Sequence, residues 1–149
     1  MYKVEWPIAQ MNAITRKVKG RILTFATMFC QDLNNEMVIA TPVRFGFLRG
    51  SWFSGLNGPP DGVGSQDPSG GDTMAELNQV ALTLTIGDIY YLVNTAVYAA
   101  RMEYGFFGKD KLGRNIHQEP RGFVRGVLAR VNQIGRETAT RVASGQYDA

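Results

Sequence analysis

Few side chains in this sequence could make or break a bond. The one imidazole, His117, stands in a polar stretch beside Gln118 and Glu119, and the one thiol, Cys30, lies next to an apolar stripe. Nucleophilic catalysis needs a base held against a nucleophile, and no Gly-x-Ser-x-Gly elbow or comparable arrangement occurs. A thiol among apolar neighbours is a poor nucleophile because burial disfavours the thiolate. Gly105-Phe106-Phe107-Gly108-Lys109-Asp110 has the glycines and lysine of a phosphate loop, but the glycines are too close together. Asp110 also stands where a magnesium-binding hydroxyl is required. Asp61, Asp67 and Asp72 do not follow the one-three-five ligand spacing of a calcium loop and read as solvated loop carboxylates. One cysteine and one histidine give neither a disulfide framework nor a structural zinc site. The sequence therefore predicts no catalytic residue, no metal ligand and no cofactor, and disfavours an enzyme.

The elements that would carry any site are two amphipathic helices bracketing a β-rich middle. The 149 residues suit one domain. From Ile14, apolar residues recur at Val18, Ile22, Phe25, Phe29, Leu33 and Met37, spacings of three and four that lay one stripe along a long helix. Pro42 disfavours helical geometry at Thr41, so this helix should end near Ile39 or Ala40. Gly46 suits a reversal of the chain, and the aromatic-rich run to Phe53 suits a strand with Leu48 and Trp52 on one face. The Gly/Pro-rich segment 57–73 reads as a long flexible loop. Val80, Leu82, Leu84 and Ile86 alternate with smaller or polar residues, the pattern of a half-buried strand. A further short strand is expected over Asp88–Asn94 and a short helix or turn over Val97–Tyr104, ended by Gly105. Phe106–Arg121 reads as a surface loop. From Gly122 a second helix carries Phe123, Val127, Val131, Ile134, Thr138 and Val142 on one face, with a loose tail at 144–149. The fold class expected is α+β, a mostly antiparallel sheet packed by the N-terminal and C-terminal helices.

Charge is uneven along the chain. Residues 1–22 sum to +4, residues 23–100 to −5 and residues 101–149 to +4, which gives the net +3. Basic ends and an acidic middle can present oppositely signed surfaces, suited to head-to-tail contact between copies or to contact with nucleic acid. The N-terminus lacks the apolar core of a signal peptide, and the longest nearly apolar stretch, Ile89–Ala100, is too short to span a bilayer, so no membrane association is expected.

Four stretches in order then resemble one family. They are Thr41-Pro42-Val43 leading to Gly46-Phe47-Leu48-Arg49-Gly50-Ser51-Trp52; Asn94 followed by Tyr98-Ala99; Glu103-Tyr104-Gly105; and Pro120 with Gly122-Phe123-Val124-Arg125. Over roughly residues 10–140 the chain is similar to the neck or tail-completion proteins of long-tailed bacteriophages, tail terminator-like minor tail components. Phe45 replaces the threonine or small residue usual there, and the 57–73 loop is longer than typical.

The resemblance implies a structural virion protein present in the neck or tail, and in the host cytoplasm during assembly. Copies would form a homomeric ring at the head–tail junction, six being favoured over twelve, between the head-completion or connector proteins and the tail tube. Passing double-stranded DNA would be met only through its phosphates. The motif residues implied to shape the fold or its interfaces are Gly46, Leu48, Arg49, Trp52, Tyr98, Glu103, Tyr104, Gly105, Arg121, Phe123 and Arg125. Arg49 and Glu103 are expected to form an ion pair within or between subunits, and Arg121 with Arg125 to join a subunit contact. The long loop is expected to reach a neighbouring protein or line the channel. Two rivals predict other behaviour. A free-standing basic nucleic-acid-binding protein would show a steep salt dependence. A small hydrolase would need a deep pocket lined by perturbed carboxyls.

Overall fold

A computed structural model describes residues 7–146. The expectations for the extreme N-terminus and for the last three residues of the tail lie outside the described residues. Helix α1 runs unbroken over Ile8–Ala40, 33 residues and about 50 Å at 1.5 Å per residue. It starts six residues before the first position the stripe marked, and it ends where Pro42 requires. The rest of the chain packs on the C-terminal half of α1: strand β1 (Trp52–Leu56), helix α2 (Gly71–Leu82), strand β2 (Tyr90–Asn94) and helix α3 (Ala99–Tyr104), then strands β3 (Phe106–Lys109) and β4 (Asn115–Gln118) and helices α4 (Phe123–Leu128) and α5 (Val131–Ser144). The architecture is α+β, with two small antiparallel sheets of two strands each. In the first, Trp52 pairs with Asn94 and Leu56 with Tyr90; in the second, Phe106 pairs with Gln118 and Lys109 with Asn115.

Met37 and Val38 of α1 meet Leu48, Trp52, Leu77, Ala96, Phe123, Val127 and Ile134 in one core. Each large side chain so buried stabilises the fold by about 1.5–3 kcal/mol. Phe123 meets Trp52 edge to face, with ring centroids 6.3 Å apart. A polar layer crosses the same helix. Asn34 is fully buried and hydrogen bonds to Asn78 of α2 and to the Tyr90 hydroxyl of β2, which joins three elements through one amide.

Four expectations need correction. The run Val80–Ile86 is not a strand: α2 extends to Leu82 and buries Thr73, Leu77 and Ala81, a helical spacing that overrides the alternation. Phe47–Ser51 is not strand either, but a turn followed by a single 3-10 turn over Arg49–Ser51, so Leu48 enters the core ahead of that turn and Trp52 as the first residue of β1. Phe106–Arg121 contains the β3–β4 hairpin, whose tip is closed by Asp110 accepting the Leu112 and Arg114 amides. The C-terminal helix breaks at Ala129–Arg130 into α4 and α5, although Phe123, Val127, Ile134 and Thr138 are buried as the periodicity required.

The Gly/Pro-rich segment has no helix or strand between Gly58 and Gly70, yet its backbone is tied down. The Ser65 amide donates to the Gly50 carbonyl at 3.2 Å and the Asp67 amide to the Gly46 carbonyl at 3.3 Å. Gly64 lies so close to Ser51 that an added Cβ would fall 2.0 Å from its hydroxyl. Glycine is required there to let two chain segments touch.

Candidate interaction surfaces

The motif around Thr41–Trp52 is a knot that fixes the C-terminus of α1. Gly46 has φ +86, and a Cβ on it would sit 2.3 Å from the Pro68 nitrogen, so both conformation and space exclude a side chain. Arg49 donates to the Ile39 and Thr41 carbonyls at 3.1 Å each and to the Pro68 carbonyl at 2.7 Å. A helix leaves its last carbonyls without intrahelical partners and its C-terminus partially negative, and one guanidinium answers both needs. The buried Trp52 indole donates to the buried Thr41 hydroxyl at 2.8 Å. Leu48 is buried, and the Asn94 side chain donates to its carbonyl at 2.8 Å.

Within the chain the expected Arg49–Glu103 pair is not made; each residue holds a different helix end. Glu103, 4 % exposed, accepts the Val124 amide at 2.9 Å, the Arg125 amide at 3.1 Å and Nε of Arg125 at 2.8 Å. Desolvation would raise the proton affinity of this carboxyl, but the amides of α4 and the Arg125 guanidinium outweigh it and hold its pKa below the usual value. Arg125 thus pairs within its own chain, and it also lies over the exposed Tyr104 ring, 5.0 Å from the centroid. Gly105, at φ +79, ends α3 and passes close to the Gln118 carbonyl and Pro120. The Arg121 amide donates to the Met102 carbonyl.

Asp67 overturns its reading as a solvated loop carboxylate. It is 6 % exposed and accepts from the Ser69 hydroxyl, the Gly70 amide and both the amide and hydroxyl of Thr73, at 2.8–2.9 Å. Burial alone would raise its pKa, but these bonds bring it down to about 2. It is the cap that starts α2. The sequence signal was available: an aspartate followed by Pro68 and then by Thr73 at the helix entry. Burial pushes the Cys30 thiol up to about 11, which leaves it unreactive at neutral pH. His117 is exposed on β4, against Glu119 at 2.7 Å and edge-on to Phe107.

Among the surfaces left unpartnered within the described residues, two adjoin the motif and the helix it closes. One is the front of α1. Every residue from Pro7 to Ile22 is exposed, including Ile8, Met11, Ile14, Val18 and Ile22. The same stripe continues into Phe25, Phe29 and Leu33, where α5 covers it. Helix α5 runs back along α1 through Arg130–Glu36 at 2.5 Å, Thr138–Asp32 at 2.5 Å and Arg141–Asp32, and its end at Val142–Gly145 lines a shallow hollow with Arg21 and Thr24. Sequence periodicity located this stripe but not where its cover stops.

The other surface is a cleft of about 480 Å³ lined by Val43, Phe45, Phe47, Tyr98 and Met102 and edged by Arg44 and Arg121. Phe47 and Tyr98 stack at 6.4 Å, and Arg44 lies over the Phe45 ring. Of the motif residues, Tyr98 and Arg121 present exposed side chains to this cleft and the buried Gly46 and Leu48 form part of its wall, whereas Arg49, Trp52, Glu103, Gly105 and Phe123 hold the fold. Among the described residues no group of three or more acidic, histidine or cysteine side chains could hold a metal ion, and no helix is long and apolar enough to cross a membrane. No family model, curated protein or solved structure matches the chain.

Proposed function

We propose that this chain is a structural virion subunit whose copies form a ring at the head–tail junction of a long-tailed bacteriophage, joining connector to tail tube and leaving a passage for DNA. The observation that supports this reading best is the bare front half of α1. An isolated helix of that length is marginal in water, and a contiguous apolar stripe exposed on a folded domain marks a protein contact. A ring uses two unlike faces of each copy, and the opposite charges of the chain's ends and middle suit such a contact. The buried carboxyls of Asp67 and Glu103 are occupied in bonding the amides that open α2 and α4, a use that suits a scaffold. Electron microscopy of intact particles tests the proposal: density for this chain at the collar is expected, and a collar without it refutes the assignment.

A second reading has one observation in its favour. Arg16, Lys17, Lys19 and Arg21 are all exposed on the front of α1, a basic surface able to meet phosphates. A free-standing nucleic-acid-binding protein would bind duplex DNA tightly with affinity falling steeply with salt; weak, salt-abolished binding fits only incidental contact inside a ring.

A further inference from the structure

We infer that the front of α1 docks on a second copy of this chain, on the surface formed by the exposed face and end of α2 and the turn into β2. The inference rests on the ring reading and specifies which two faces meet. From Pro7 to Gln31 the chain carries Arg16, Lys17, Lys19 and Arg21 and no carboxylate. From Gly50 to Ala100 it carries Asp61, Asp67, Asp72, Glu76 and Asp88 and no lysine or arginine. In space these blocks become two surfaces of matching kind. The apolar stripe Ile8, Met11, Ile14, Val18 and Ile22 is flanked by cations; Leu82, Ile86 and Ile89 are exposed at the end of α2 and in the turn beyond it, Asp72 and Glu76 are exposed on earlier turns of the same helix, and Asp88 stands between Ile86 and Ile89 in the chain.

Charge also selects between the apolar surfaces a second copy offers. The Phe45–Phe47–Tyr98 cleft is edged by Arg44 and Arg121, and would repel the front of α1. A bundle of α1 fronts would bring the same four cations together in every copy. The acidic surface alone gives attraction with apolar contact. The edge it presents is held in shape: Asp88 accepts the Thr85 amide at 2.8 Å and the Asn57 side chain at 2.9 Å, so the turn carrying Ile86 and Ile89 is preformed. The stripe's unbroken passage from the part covered by α5 to the bare part argues for a protein surface rather than a bilayer, since one spacing serves both lengths of the helix.

The test is analytical ultracentrifugation of the full chain with exposed-residue variants. Val18→Glu, and separately Glu76→Lys with Asp72→Lys, should each weaken self-association by about tenfold or more, with circular dichroism unchanged. Because the two faces differ, mixing these variants should give a dimer that grows no further, each copy supplying one intact face. In a Cys30→Ser background, Val18→Cys and Ile86→Cys on separate copies should cross-link to each other on mild oxidation. The inference is overturned if Val18→Glu leaves self-association intact, or if Val18→Cys copies link only to themselves. It is equally overturned if the wild type stays monomeric and uncross-linked at every concentration, including when it binds phosphatidylserine vesicles or duplex DNA instead. Rings that persist in the Val18→Glu variant would remove this docking and leave the ring reading standing; absence from the collar would remove the ring reading whatever the cross-links show.

Discussion

The two halves of α1 share one helix, one stripe and one spacing, yet they live in different surroundings. The rear half, from Leu23 onward, is covered by α2, α4 and α5, braced by buried Asn34 and closed by Arg49. In the front half, Ile8–Ile22, every residue is exposed. Periodicity therefore reports that a face wants cover and is silent about who supplies it. Motif residues cluster at the rear, where hydrogen bonds are scarce commodities that must be placed; the front needs only aliphatic bulk and positive charge, which many sequences supply.

The contrast predicts unequal responses to substitution. Trp52→Ala should be the most damaging, removing core volume and the bond to Thr41, at about 3–5 kcal/mol in denaturant unfolding. Glu103→Gln should cost about 2 kcal/mol, because a buried charge-assisted acceptor of two helix amides is lost. Arg125→Ala should cost less, since Glu103 keeps those amides; equal losses would mean that the ion pair, not the cap, matters. Asp67→Ala should cost about 1–2 kcal/mol at neutral pH. Its folded pKa of about 2 lies below the ordinary 3.8, so its contribution is present above about pH 4 and fades as pH falls toward 2. The variant should accordingly lose less stability than wild type across that interval, measured by thermal melts. At the front, Ile14→Gln should change stability by under about 0.5 kcal/mol. A larger loss in dilute, dissociated protein would show that the front packs against its own chain and would break the comparison.

One substitution should produce a gain. Gly20 lies in the exposed helix with no atom within 4 Å of a would-be Cβ. Gly20→Ala should raise helix stability by roughly 0.5–1 kcal/mol, read as a higher melting temperature.

The sequence made the helices at both ends, the strand at β2 and the short helix before Gly105 readable, because each combines clear spacing with a stop signal. Helix α2 was hidden because Val80, Leu82, Leu84 and Ile86 alternate across its end, whereas its true stripe, Thr73, Leu77 and Ala81, includes a threonine and an alanine that carry little hydropathy. The β3–β4 hairpin was hidden by short strands and mostly exposed side chains. Arg49 and Glu103 were recognisable as important but not as strangers: nothing in a one-dimensional pattern says that an arginine will bond backbone carbonyls, or that a glutamate will bond amides twenty residues on. Asp67 was misplaced although Pro68 and Thr73 mark a helix entry, because comparison with Asp61 and Asp72 tests it only as a calcium ligand.

The continuity of α1 has a mechanical consequence. With no break between Ile8 and Ala40, the free end behaves as an outrigger about 22 Å long, rooted where α5 stops. A tilt of about ten degrees at that root would sweep its tip through roughly 4 Å. Whatever grips the tip is thereby geared to Glu36–Arg130 and Asp32–Arg141, the contacts that set the helix's pitch against the body.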